Sequence, residues 1–173
     1  MSLTEGDIDA RVLLDDLIAE CTPVLLDAYG HTISHRKGAG SEDVRLALSA
    51  VIGFTGDNAR GTLLIGLNQG LIDQTNPTGG AARDWVSELA NMLLGRMKNQ
   101  LLRYGVEVYV TTPLVLRGEH IAPVSSGSDL APHRFDAEHG TLLVWLDAKV
   151  DDGLRVSPSH EAPPTEGDAF LFD

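Results

Sequence analysis

Residues 84–105 read DWVSELANMLLGRMKNQLLRYG, and the periodicity of this stretch organises the reading of the whole chain. At 100° per residue, Trp85, Val86, Leu89, Ala90, Met92, Leu93, Leu94, Met97, Leu101 and Tyr104 share one broad arc, while Asp84, Ser87, Glu88, Asn91, Gly95, Lys98 and Asn99 gather on the opposite one. The spacing predicts an amphipathic helix with a wide buried face from about Ala82 to Tyr104, roughly 34 Å long at 1.5 Å per residue. Gly105 stands where a left-handed C-terminal cap belongs. On the outward arc Glu88 and Asn91 are three residues apart and therefore neighbours, with Asp84 one turn before Glu88 and Gly95 one turn after Asn91. A glycine inside a helix costs about 1 kcal/mol relative to alanine, so Gly95 asks for a reason, and close approach of another surface beside Asn91 is one. Taken alone, a Glu-x-x-Asn on a helix is more often a solvated polar pair.

The parts flanking the helix change that balance. Before it lies LALSAVIGFTGDNARGTLLIGL, Leu46 to Leu67, and after it VEVYVTTPLVLRGEHIAPV, Val106 to Val124. Val44 to Phe54 and Gly61 to Leu67 read as two β-strands joined by TGDNAR, in which Gly56, Asp57 and Asn58 supply turn chemistry. The glycines here have no Gly-Lys-Ser/Thr after them, so a hairpin is the reading rather than a phosphate loop. After the helix Val106, Val108 and Val110 alternate with polar residues, and Pro113 marks a bulge, strand edge or break before Leu114, Val115 and Leu116.

This succession, with Ser87-Glu88-Leu89-Ala90-Asn91-Met92-Leu93-Leu94-Gly95 at its centre, resembles the CheX branch of the CheC/CheX/FliY chemotaxis phosphatases. Their signature of Asp or Ser, Glu four residues on, Asn three further on and a more distant Pro is met by Asp84, Glu88, Asn91 and Pro113, with the last interval one residue short. No second Glu-x-x-Asn occurs in the chain, which suits CheX better than CheC. The resemblance, weaker towards its ends, runs from Ile8 to about Val150. It implies a phosphatase that hydrolyses the aspartyl phosphate of a CheY-type response-regulator receiver, in chemotaxis or related two-component signalling. Asn91 would then orient the attacking water and Glu88 would pair with the receiver's lysine, with Asp84, Ser87, Gly95 and Lys98 as partner-binding candidates around them. Asp84 has a second reading as a favourable charge near the helix N-terminus, and Lys98 one as a solubilising charge. No cofactor is expected on this chain, Mg²⁺ being expected on the receiver, and the family analogy implies a homodimer. The alternative function is a non-catalytic binding module that docks on a receiver or a flagellar-switch component, and a third reading is a structural dimer with an incidental polar arc.

Composition narrows the field independently. A net charge of −12, from 13 Lys and Arg against 25 Asp and Glu, repels phosphate backbones and argues against nucleic-acid binding. The single cysteine, Cys21, has no intrachain partner and points to a reducing compartment; with no apolar run near 20 residues and no signal-like N-terminus, a cytoplasmic protein without membrane insertion is expected. His31 and His35 have a spacing that could co-ligate a metal on a helix, but no third ligand accompanies them, and His120, His133, His139 and His160 are scattered, so no metal site is expected. No nucleophile elbow, Cys/His pair or dinucleotide fingerprint is present either.

The expected fold is α/β (α+β): a single CheC-like domain, residues 1–150, in which an antiparallel-rich β-sheet packs on the long central helix and an N-terminal helix. The N-terminal helix is placed at Ile8 to Tyr29, with Ile8, Val12, Leu17, Cys21, Leu25 and Ala28 near one face and Pro23 as a kink or a new start. Its acids Asp9, Asp15, Asp16 and Glu20 are read as a solvated face. Asn68 to Gly80 reads as loop where the family has a further helix, which suggests a shortened or eroded element. Ile121 to Val124 is a candidate short strand, Ser125 to Pro132 a loop, and Leu142 to Val150 a strand with Trp145 in or near the core. Residues 151–173 form an acidic, Pro/Gly-rich tail expected to be mobile or loosely docked, with Phe170-Leu171-Phe172 near its end.

Overall fold

The computed structural model describes residues 6–36, 40–77, 79–125 and 130–158. In chain order, β1 (Ile8–Asp9) leads into α1 (Ala10–Asp27), followed by β2 (Ser34–Arg36), the hairpin β3 (Leu48–Thr55) and β4 (Ala59–Leu67), and α2 (Gln69–Thr75). Then come α3 (Ala82–Leu102), β5 (Tyr109–Val110), β6 (Leu114–Arg117), β7 (His133–Asp136), β8 (Thr141–Val150) and β9 (Arg155–Val156). Seven strands form one sheet in the order β2-β7-β8-β4-β3-β5, with β6 also on β3, and every pairing is antiparallel. The expected α/β (α+β) architecture, an antiparallel sheet against a central and an N-terminal helix, is the one observed.

Alternation along the strands explains both faces of the sheet. Ala50, Ile52 and Phe54 of β3, Leu63, Ile65 and Leu67 of β4, and Leu142 and Val144 of β8 point to the side where α1 and α3 lie, building the main core. Leu64, Leu143 and Trp145 point to the other side, where Val44, Leu46, Ile121 and Leu130 cover them as a second, smaller core. Trp145 is therefore buried, but beneath loops rather than helices. β5 and β6 act as one edge strand interrupted at Pro113: both pair with β3, and Thr111 spans the gap through its backbone N–H to Gly53 O at 2.9 Å while its hydroxyl accepts from Gly53 N at 2.9 Å.

Several expectations are corrected. Residues 8 and 9 are not the start of a helix: they pair with Arg155 and Val156, and α1 begins at Ala10 with Asp9 as its cap, whose carboxylate accepts from Arg11 N at 2.8 Å. The start of the segment expected as a loose tail is thus held by pairing and by Ala10 N donating to Leu154 O at 3.1 Å, while residues 159–173, including Phe170-Leu171-Phe172, lie outside the described residues. Val12 and Ala28, assigned to the buried face of α1, are exposed, because the stripe that packs is Leu13, Leu14, Leu17, Ile18, Cys21 and Leu25. Pro23 neither ends α1 nor starts a new helix. Burial pushes the Cys21 thiol up to about 11, with Glu20 adding to and Arg96 opposing the shift, which keeps it protonated and unreactive.

Residues 68–80 are not simply loop. Asn68 caps α2, its side-chain oxygen accepting from Leu71 N at 3.1 Å and from Thr141 N at 3.0 Å, so one amide both starts a helix and ties it to β8. The element expected to be shortened or eroded is short, a helix of 7 residues. Ile121 to Val124 forms no strand, whereas His133–Asp136, which carried no strand assignment, does.

Arg134 holds the loop over the second core. Its guanidinium donates to Asp43 at 2.8 and 3.2 Å, to Asp136 at 3.1 and 3.3 Å and to Gly40 O at 3.1 Å. The hydrogen bond from Arg134 holds the Asp43 carboxyl below its ordinary value. At Asp136 burial acts upward, but hydrogen bonds from Thr141, Arg134 and Arg36 outweigh it and the carboxyl also sits low. A carboxyl depressed in the folded state stabilises the fold above the unfolded value of about 3.9 and loses that contribution as pH falls through the folded value. Thermal melting between about pH 5 and pH 2 should therefore show stability falling with acid, and Arg134→Leu should flatten the part of that fall due to these two carboxyls.

Candidate functional site

α3 is the element that places the candidate residues. Trp85, Val86, Leu89, Ala90, Leu93, Leu94, Met97 and Leu101 are buried against the sheet and α1, which fixes the helix along almost its whole length of roughly 32 Å. Met92 and Tyr104, expected on this face, are only half-buried, since they lie at the border of the arc. Gly105 follows with φ 72°, the left-handed conformation anticipated for the cap.

The opposite arc faces outward as its periodicity requires. Asp84, Glu88 and Asn91 are exposed, and Ser87, Gly95 and Lys98 are half-buried beside them. Asp84 is engaged by its neighbour Arg83 at 3.2 Å. Among the described residues the Glu88 carboxylate and the Asn91 amide have no hydrogen-bond or ion-pair partner, so both remain available to another molecule. A Cβ built on Gly95 would meet nothing within 4 Å. Packing within this chain therefore does not explain the glycine.

A second polar grouping is assembled by the fold from α1, β2 and β7. His133 Nε2 lies 2.6 Å from Asp15 Oδ1, and a hydrogen bond of 3.1 Å joins His133 Nδ1 to His35 Nε2. Of the histidines read as scattered, His133 does meet His35, and Asp15 is more than part of a solvated face. The alternation of β7, with His133 and Phe135 turned inward, was the available signal. Both ring nitrogens of His133 are taken within the chain, and no group of three or more ligating side chains among the described residues could hold a metal ion. An open cleft of about 410 Å³ borders this grouping, lined by Arg11, Asp15, His133, Asp147 and Lys149 among others, and no residue of α3 lines it. The outward arc of α3 is exposed surface that lies apart from this cleft. No helix among the described residues is long and apolar enough to cross a membrane.

Comparison with known proteins places this arrangement. The chemotaxis protein CheX of Vibrio vulnificus superposes with a TM-score of 0.68 at 21% identity, over 79% of this chain and 99% of that one. A CheC-like superfamily protein of Shewanella sp. PV-4 gives 0.69 at 22% identity, over 80% and 98%. The CheX chain of a CheX-CheY-BeF3-Mg²⁺ complex from Borrelia burgdorferi gives 0.59 at 14% identity, over 82% and 99%. No curated protein matches the sequence significantly. The fold is that of the CheC-like proteins. Within that class, residues 48–132, which contain Asp84, Glu88, Asn91 and Pro113, match the family model of the chemotaxis phosphatase CheX. Over these residues the chain is similar to the CheX chemotaxis phosphatases.

Proposed function

We propose that this chain docks α3 against a phosphorylated CheY-type receiver and accelerates hydrolysis of its aspartyl phosphate, with Asn91 as the water-orienting residue and Glu88 as the anchor. The observation that carries the reading is the pair itself: two outward, unpartnered side chains one turn apart on a helix whose other face is buried. Such a receiver brings the phosphoryl group, a Mg²⁺ and a lysine, and the attacking water must arrive in line. An amide suits the remaining task, because its carbonyl accepts from water and its NH₂ donates elsewhere while the group stays neutral beside a dianionic phosphoryl. A carboxylate in that place would repel the phosphoryl, whereas at position 88 it meets an ammonium group. This chain itself binds no metal in the scheme.

The arrangement around the pair fits a docking surface. Asp84 extends the acidic row towards the helix N-terminus, Ser87 and Lys98 flank it, and Gly95 leaves room for the receiver to approach Asn91. Gly95→Ala therefore has effects of opposite sign. It should raise the melting temperature, since alanine gains up to about 1 kcal/mol in a helix interior and meets no atom of its own chain. It should also raise the KM for the phosphorylated receiver, and an unchanged KM would remove Gly95 from the contact.

The family analogy supports a cytoplasmic homodimer. The interrupted edge strand β5 and β6, with Tyr109, Val110 and Leu114 exposed, offers backbone and apolar surface for such an interface. The non-catalytic module, which a shortened or eroded element before α3 leaves open, is the second reading. The deciding experiment follows loss of phosphate from several purified phosphorylated receivers with and without the full chain. Binding without acceleration would leave only the docking module, and neither binding nor acceleration would sink both.

A further inference from the structure

Trp85 stands one turn ahead of Glu88 and is held from two sides. Its indole N–H donates to Thr75 Oγ1 at 2.9 Å, and the Thr75 hydroxyl donates to Leu71 O at 2.7 Å, so the threonine is oriented within α2 before it receives the tryptophan. On the other side Tyr29 meets Trp85 edge-on, with ring centroids 5.3 Å apart at 69°, and its hydroxyl donates to Met92 Sδ at 3.0 Å. Trp85 and Met92 bracket the turns that carry Glu88 and Asn91.

The start of α3 has little else to orient it. Ala81 occupies the N-cap position and makes no side-chain capping bond. Apolar packing along the buried face resists separation from the sheet, but it is non-directional and tolerates small rotations about the helix axis. A buried hydrogen bond is directional and weakens steeply when misaligned.

From this we infer that Thr75 is a positioning residue for the phosphatase reaction: acting through Trp85, it fixes the rotation and height of the first turns of α3 so that Glu88 and Asn91 reach the receiver together. The inference rests on the proposed roles of those two residues. Thr75 is 3% exposed and so has no direct contact to offer the receiver, which makes it the informative place to test.

The test compares full-length wild type, Thr75→Val and Thr75→Ser. Thr75→Val keeps the shape and removes the acceptor; Thr75→Ser keeps the hydroxyl. In dephosphorylation of a CheY-type receiver at 25 °C, Thr75→Val should lower kcat about 10-fold or more and raise KM as well, since Glu88 shifts with Asn91, and Thr75→Ser should restore kcat. In ¹H–¹⁵N spectra the Trp85 indole signal and the amides of Glu88 to Asn91 should shift together in Thr75→Val, with the amides of Gln100 to Leu102 unmoved. Unmoved amides at 88–91, an unchanged kcat, or failure of serine to restore it would each overturn the assignment. A wild-type chain that does not accelerate phosphate loss would sink the proposed function instead, and the spectral comparison would still decide whether Thr75 sets the geometry of α3.

Discussion

Asn91→Ala is expected to lower receiver dephosphorylation by on the order of 10²–10³ without lowering the melting temperature. The size follows from what the side chain would do. Where the receiver supplies the leaving group, the metal and most of the charge neutralisation, the helper's share of the barrier is the alignment of one water, and an aligned nucleophile is lost entirely when its acceptor is removed. The stability half follows from the site: Asn91 is exposed on the outward arc and makes no hydrogen bond among the described residues, so truncation breaks no folded-state contact. Asn91→Asp discriminates further. It keeps the size and an acceptor oxygen but adds a charge beside the phosphoryl group, so it should fail nearly as badly as alanine. Activity retained in both variants would remove Asn91 from the mechanism.

Glu88→Ala should act on docking. If its carboxylate pairs with the receiver's lysine at an interface that excludes water, removing it leaves a buried ammonium unpaired, a loss typically of 2–5 kcal/mol, or about 30-fold to several thousand-fold in affinity. The effect should therefore fall on the KM for the phosphorylated receiver and on the Kd for its phosphoryl-analogue form more than on kcat at saturation. The same substitution should leave the melting temperature unchanged, because Glu88 is exposed and unpartnered among the described residues. A wild-type Kd with a reduced kcat would move Glu88 from anchor to chemistry. The two variants together separate alignment from recognition.

Much of the candidate site was legible because a helix converts sequence spacing into angle. Once Trp85, Leu89, Leu93 and Met97 are committed to the core, Glu88 and Asn91 can only face away from it, whatever else the chain does. The hairpin of β3 and β4 was legible for a similar reason, its turn residues and alternation being local. Boundaries were less so: its strands begin at Leu48 and Ala59 rather than at Val44 and Gly61, and Val44 and Leu46 cover the second core instead.

What the chain could not announce is what depends on a distant partner. Ile8–Asp9, Arg155–Val156 and Ser34–Arg36 are too short to carry a period of their own, and they are strands only because an antiparallel neighbour accepts and donates their backbone hydrogen bonds. α2 is capped and tied to β8 by one amide, Asn68, which accepts from Leu71 N and also from Thr141 N, 73 residues away. Asp15, His35 and His133 meet only because α1, β2 and β7 converge. The sequence by itself determined the helix and the direction of its outward pair, because helical geometry is set by bonds between residues four apart. Only the tertiary structure decided how the start of that helix is held, because Thr75 and Tyr29 reach Trp85 through the packing of separate elements.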